Sequence, residues 1–121
     1  MGRLVLYRVI WYELLYKDGT KTITKEYLDK IDSPIALAYW FMDDGTHSGV
    51  ISTHCFSEKE VDLLIDWMAN KWNIICTKQK QINQFTIYII NDFRFDFEKL
   101  IFPYVLPSMY YKLKYSKELS V

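Results

Sequence analysis

Leu37-Ala38-Tyr39-Trp40-Phe41-Met42-Asp43-Asp44-Gly45 is the stretch on which the reading of this chain turns. Ser33-Pro34 stands ahead of it. The serine hydroxyl can cap a helix, and proline suits the first helical position. Ile35 to Met42 carries no charge, and a helix apolar all round must be buried on every side, often between two other bodies of protein. Gly45 reads as the stop, because glycine takes a left-handed conformation cheaply. Asp43 and Asp44 put two carboxylates at the negative end of the helix dipole, so a compensating group is expected nearby. A polar helix terminus is the plain alternative for these two acids.

Downstream, Val50 to Phe56 reads as a strand. Ser57-Glu58-Lys59-Glu60 is a capping box, in which Glu60 reaches back to the residue that caps. The helix it opens runs to about Lys71, with Val61, Leu64, Ile65, Met68 and Trp72 on one face as core. Asn73 to Lys80 and Gln84 to Ile90 read as a hairpin of period two, with one apolar and one mostly polar face. Asp92 to Phe102 resumes helical spacing until Pro103 and Pro107 break it, and a basic tail follows from Lys112. Upstream, Leu4 to Tyr16 reads as a helix stopped by Asp18-Gly19, and Lys21 to Ile31 as a polar connector with a short helix around Glu26 to Lys30. The order predicts an α+β fold, an antiparallel sheet packed on helices.

At 121 residues the chain suits one domain. Half of it is hydrophobic and 17% is aromatic, which argues against disorder. No apolar run is long enough to span a membrane, and no membrane partner is expected. Met1 to Tyr16 lacks a cleavage site and is interrupted by Arg3, Arg8 and Glu13, so it is not read as a signal peptide. A transit peptide is absent too, so a protein working in an organelle would be made there. Cys55 and Cys76, with only His54 nearby, read as reduced, partly buried thiols and not as a zinc site. Fifteen basic and fifteen acidic side chains cancel. That lowers the expectation of autonomous DNA binding, which draws on a basic excess.

The motif residues resemble the LAGLIDADG signature of the homing endonucleases, in the variant form LAYWFMDDG. Phe56-Ser57-Glu58-Lys59-Glu60-Val61 is similar to the helix after that family's first sheet segment, and Ile101 to Leu113 looks like its closing segment. The resemblance covers roughly residues 20 to 114. It implies two motif helices side by side, from two subunits or two halves of one chain, with Ala38, Tyr39, Met42 and Asp43 facing the partner helix. It implies that Asp44 holds Mg2+ against a scissile phosphate, with Asp43 a weaker candidate; a hard cation suits a carboxylate. Lys112 matches a lysine near the active site, and Lys21 the corresponding lysine that ends the first half of two-motif chains. The sheets would form a saddle on the DNA major groove, with Lys78, Lys80, Gln79 and Gln84 as contacts to phosphates or bases.

About 36 residues precede the motif and resemble the tail of a preceding half. The chain therefore looks like residues 1–33 ending one half-domain and residues 34–121 forming a second, with a partner chain or a second copy expected to complete the pair. Only about a dozen residues separate Gly45 from Ser57, where the family places a full DNA-contacting hairpin; His47-Ser48-Gly49 permits a stub. Three functions remain open. They are a Mg2+-dependent endonuclease half active only when paired, an intron-splicing maturase that binds RNA or DNA without cleaving, and an inactive relic serving as a structural subunit of an organellar ribonucleoprotein such as the mitochondrial ribosome. Abundant Ile, Tyr, Lys, Phe and Asn fit an AT-rich, mitochondrial gene.

Overall fold

A computed structural model describes residues 23–53 and 56–121. Leu4 to Tyr16, Lys21, His54 and Cys55 lie outside the described residues. Helix α1 spans Lys25–Lys30 and α2 spans Pro34–Asp44. Strand β1 covers Val50–Ser52, and α3 follows over Glu58–Trp72. Strands β2, Cys76–Gln81, and β3, Gln84–Ile89, lead into α4, Asn91–Ile101. Two 3-10 turns, Phe102–Tyr104 and Pro107–Lys112, precede a short α5, Ser116–Leu119. No helix among the described residues is long and apolar enough to cross a membrane.

Local chemistry sets the helix starts. Ser33 accepts from Ile35 N at 3.3 Å, with Pro34 in the first turn of α2. The capping box of α3 is complete: Ser57 Oγ accepts from Glu60 N at 3.2 Å, and Glu60 Oε1 accepts from Ser57 N at 3.0 Å. The second oxygen, Glu60 Oε2, accepts from Ile23 N at 2.7 Å and so ties the start of the described chain to α3. Helix α3 ends at Asn73, which takes the left-handed conformation (φ 59°) that asparagine tolerates. The strand expected from Asn73 therefore begins only at Cys76.

Gly45 does not end α2 in the expected way. Its φ of −82° and ψ of 162° are extended, open to any residue. What requires glycine is proximity: a Cβ there would lie 2.6 Å from Phe41 O and press into the Phe41 ring. Gly45 then bridges to Ile51, and Thr46 N donates to Val50 O at 2.9 Å. The expected stub hairpin is thus a single tight turn, closed by Gly49 at φ 93°. The strand expected to reach Phe56 stops at Ser52. At Thr53 the hydroxyl, not a backbone N–H, continues the link to β3, donating to Phe85 O at 2.6 Å.

The sheet is antiparallel in the order β1-β3-β2. Ile51 pairs with Ile87, Cys76 with Ile89 and Lys78 with Ile87, so these residues share one face. Ile51, Ile87, Ile89 and Cys76 are buried there, in one core with Val61, Leu64, Trp67 and Met68 of α3. Burial raises the Cys76 thiol pKa to about 12, which keeps it protonated and inert. Helix α2 is buried along its length, from Ile35 to Met42 except for the half-buried Tyr39. It packs on α4, where Phe41 meets Phe97 edge-on at 5.3 Å. Ile23, Leu28 and Ile31 join the same core as residues 34–113.

Candidate functional site

The C-terminal end of α2 carries the motif acids, Asp43 exposed and Asp44 half-buried. The carbonyls ending a helix lack intrahelical partners and carry partial negative charge. A cation answers them: Lys112 Nζ donates to Met42 O at 2.6 Å. Leu106 N donates to Met42 Sδ at 3.5 Å, so the closing segment grips Met42 twice. This is the compensating group that two terminal carboxylates call for. It also holds an ammonium at the carbonyl two residues before Asp44.

Lys112 is held in turn by a buried ion pair. Arg94 Nε meets Glu98 Oε2 at 2.5 Å, with both side chains 3% exposed or less. Arg94 Nη2 donates to Lys112 O at 3.1 Å. Glu98 also accepts from Lys114 N at 2.9 Å and Tyr115 N at 2.8 Å. A buried carboxylate is costly unless paired and hydrogen-bonded, and Glu98 has three donors. The segment read as a basic tail is thus clamped at Lys112, Lys114 and Tyr115. Sequence reasoning missed Arg94 and Glu98, because an i, i+4 pair of opposite charge on a helix ordinarily reads as a solvated surface pair.

Among the described residues no group of three His, Cys, Asp or Glu side chains could cage a metal. The Asp43-Asp44 donor set fits Mg2+ in a narrower sense. That ion keeps several waters and takes one or two protein carboxylates plus phosphate oxygens. The remaining ligands would come from substrate and a second motif.

The sheet register sorts the other candidates. Gln79 and Gln84 stand on the face away from the helices, with Val50, Ser52, Thr77, Gln81, Thr86 and Tyr88. None of these strand residues is charged. Thr86 is 4% exposed near the middle of this face, and its hydroxyl has no hydrogen-bond partner. Lys78 and Lys80 fall on the opposite, helix-facing side, which the pooled polar reading of the hairpin did not separate. Lys78 Nζ reaches Glu58 Oε2 at 2.5 Å and Asp62 Oδ1 at 3.0 Å. Those hydrogen bonds, first to Glu58 and then to Asp62, raise its pKa. Of the residues expected at a partner helix, Ala38 and Met42 are already buried within this chain, while Tyr39 and Asp43 reach its surface.

Comparisons with known proteins fit this arrangement. The chain is 40% identical to the cytochrome b mRNA maturase bI2 of Saccharomyces cerevisiae, over 85% of this chain and 26% of that protein. It is also 40% identical to the intron-encoded endonuclease ai4 of Dictyostelium discoideum, over 84% of this chain and 67% of that protein. The solved structure of the homing endonuclease I-WcaI bound to its DNA recognition sequence superposes with a TM-score of 0.74 at 32% identity, covering 82% of this chain and 48% of that one. The chain thus spans from about a quarter to two thirds of these proteins. The family model described as the LAGLIDADG DNA endonuclease family matches residues 6–93, and the chain belongs to that family.

Proposed function

We propose that this chain is one half of a LAGLIDADG nucleic-acid-binding unit, resembling the C-terminal half of a two-motif member, whose phosphodiester cleavage depends on a second half. The observation that carries the reading is the end of α2: a buried helix finishing in Asp44, with the Met42 carbonyl of its last turn held by Lys112. In a complete unit the uncharged polar face of the sheet lies along DNA, with Gln79 and Gln84 directed at base edges or phosphates. Asp44 supplies the carboxylate for Mg2+, and a second motif supplies the opposing one. Bound Mg2+ would polarise the phosphate and activate water. Lys112, anchored at its own carbonyl by Arg94, offers a fixed positive charge where negative charge develops. Lys21 takes the equivalent role for the other half, and Tyr39 and Asp43 extend toward the partner helix beside Ala38 and Met42.

The test combines the chain with a first-motif half and asks for Mg2+-dependent cleavage. Asp44→Asn should abolish cleavage while duplex binding persists. No cleavage with any reconstituted partner would sink the enzyme reading.

A reading without cleavage rests on charge. The open sheet face has no strand cation, the first hairpin is a stub, and one relative is an mRNA maturase. The chain would then act on RNA, or within an organellar ribonucleoprotein such as the mitochondrial ribosome. Binding with a steep salt slope and no cleavage identifies the maturase type; salt-resistant co-sedimentation with a large particle identifies the structural subunit. A cytochrome b maturase among the relatives and the AT-biased composition both favour a mitochondrial, organelle-encoded setting.

A further inference from the structure

Beside the stub turn, where β3 passes into α4, lies a cavity of about 240 Å3 lined by His47, Ser48, Tyr88, Asn91, Arg94 and Lys114, with Ile89 as its aliphatic member. Its wall is rich in donors. Arg94 is 2% exposed, and its Nε and Nη2 are committed to Glu98 and Lys112 O. The remaining Nη1 lies against Gly49, 2.7 Å from where a Cβ would stand, so only glycine leaves the guanidinium its room. Lys114 Nζ donates to Asn91 Oδ1 at 2.7 Å, which occupies the amide oxygen and leaves the amide NH2 to point elsewhere. Asn91 also opens α4, an eleven-residue helix with no side-chain cap at its start. Asp92 stands in its first turn and Phe93 N donates to Ile90 O at 2.8 Å, so the helix start itself is already partly compensated and the polar wall of the cavity is left to side chains.

Glu98 is saturated by Arg94 and by the Lys114 and Tyr115 N–H groups, which leaves Lys114 as the net positive charge of the lining; Asp92, in the first turn of α4, is not among the lining residues. A cavity lined by the Arg94 guanidinium, the Lys114 ammonium, the Asn91 amide and the Ser48 hydroxyl suits a tetrahedral oxyanion. Tyr88 belongs both to this cavity and to the open face of the sheet. A strand lying on that face would pass over the cavity where the full first hairpin of the family is absent.

We propose that this cavity binds one backbone phosphodiester of the nucleic acid, at the edge of the sheet where the shortened hairpin makes no contact. The assignment rests on the nucleic-acid reading above. The test uses the full chain and two probes. In NMR titrations with dimethyl phosphate, the amides of Ser48, Gly49 and Asn91 and the Arg94 guanidinium should shift, and Lys114→Gln or Ser48→Glu should remove the shifts. With a mixed-sequence DNA duplex followed by anisotropy, Lys114→Gln should lower the salt slope by roughly 1. Lys117→Gln, an exposed lysine outside the cavity, should leave it unchanged. No shift with dimethyl phosphate overturns the site. Duplex binding with an unchanged slope in Lys114→Gln also overturns it, and leaves the proposed function standing. A wild-type chain that shifts with dimethyl phosphate but, even when paired with a first-motif half, binds neither duplex DNA nor RNA sinks the nucleic-acid reading itself and makes the cavity a small-anion site instead.

Discussion

Lys112 Nζ lies 2.6 Å from the carbonyl oxygen of Met42, across 70 residues of sequence. That one contact fastens the closing segment to the end of the motif helix and places a cation in the last turn, the turn that carries Asp43 and Asp44. Removing it leaves a carbonyl of the last turn with no charged partner. A hydrogen bond from a charged donor contributes about 1.5–3 kcal/mol. Lys112→Met is expected to lower stability toward the low end of that range, because the lysine is only half-buried. The check is a urea midpoint that falls with an unchanged slope. If Lys112 also acts on the reacting phosphate, cleavage by the reconstituted unit falls much further than stability does, and Lys112→Arg restores folding more fully than activity.

The Arg94–Glu98 pair should be far more sensitive. Breaking a fully buried pair by neutralising one partner costs roughly 3–5 kcal/mol. Glu98→Gln keeps one acceptor for the Lys114 and Tyr115 N–H groups but strands the Arg94 charge, so thermal unfolding should drop by many degrees. Replacing both, Arg94→Met with Glu98→Leu, should recover only part of the loss. The two backbone N–H groups stay orphaned, and Lys112 O loses its donor. Full recovery in a double-mutant cycle would show that the carboxylate serves Arg94 alone.

Gly45 and Gly49 separate two reasons for glycine. Gly45→Ala meets no dihedral penalty at φ −82°, yet its methyl group would press on Phe41 O and the Phe41 ring. Overpacking of that kind costs about 1–3 kcal/mol. Gly49→Ala sits at φ 93°, where a side chain is strained by roughly 1–3 kcal/mol, and it also crowds Arg94 Nη1. Both should destabilise. Only Gly49→Ala should also weaken phosphate binding in the adjoining cavity.

These glycines show where sequence legibility stops. Helix α2, the capping box of α3 and the β2–β3 hairpin were readable because their signals are local: Ser33-Pro34, Ser57 with Glu60, and strict alternation. The stop at Gly45 was readable as a position, but its cause was not, because the Phe41 ring closes on it only in the folded chain. Lys112 stands out only through family resemblance, as a lysine near the active site, and its bond to Met42 O was not foreseen. Its support by Arg94 was invisible, since nothing local distinguishes a buried i, i+4 pair from a solvated one. The side of the sheet taken by Lys78 follows from its two-residue offset from the buried Cys76. The alternation itself sets Lys78 and Lys80 with Cys76 and apart from Gln79; grouping them all as nucleic-acid contacts set that parity aside.

Parity leads to a test of which sheet face meets nucleic acid. Lys78 is engaged by Glu58 and Asp62 on the helix side, and its raised pKa is linked to folding. A lysine whose folded pKa lies above the unfolded value contributes stability in full below the unfolded pKa. That contribution is lost as pH rises through the folded one. The group is exposed and screened by salt, so Lys78→Gln should change little near neutral pH and should leave duplex affinity nearly unaltered. Gln79→Glu, one residue away on the open face, should weaken binding by placing a carboxylate against phosphate. Thr86→Val, beside it on that face, removes a buried hydroxyl with no partner. It is expected to stabilise the fold by up to about 1 kcal/mol and, because the hydroxyl is buried, to leave duplex affinity unchanged. Equal loss of affinity in Lys78→Gln and Gln79→Glu would mean that the helix-facing edge of the sheet, and not its open face, carries the interaction.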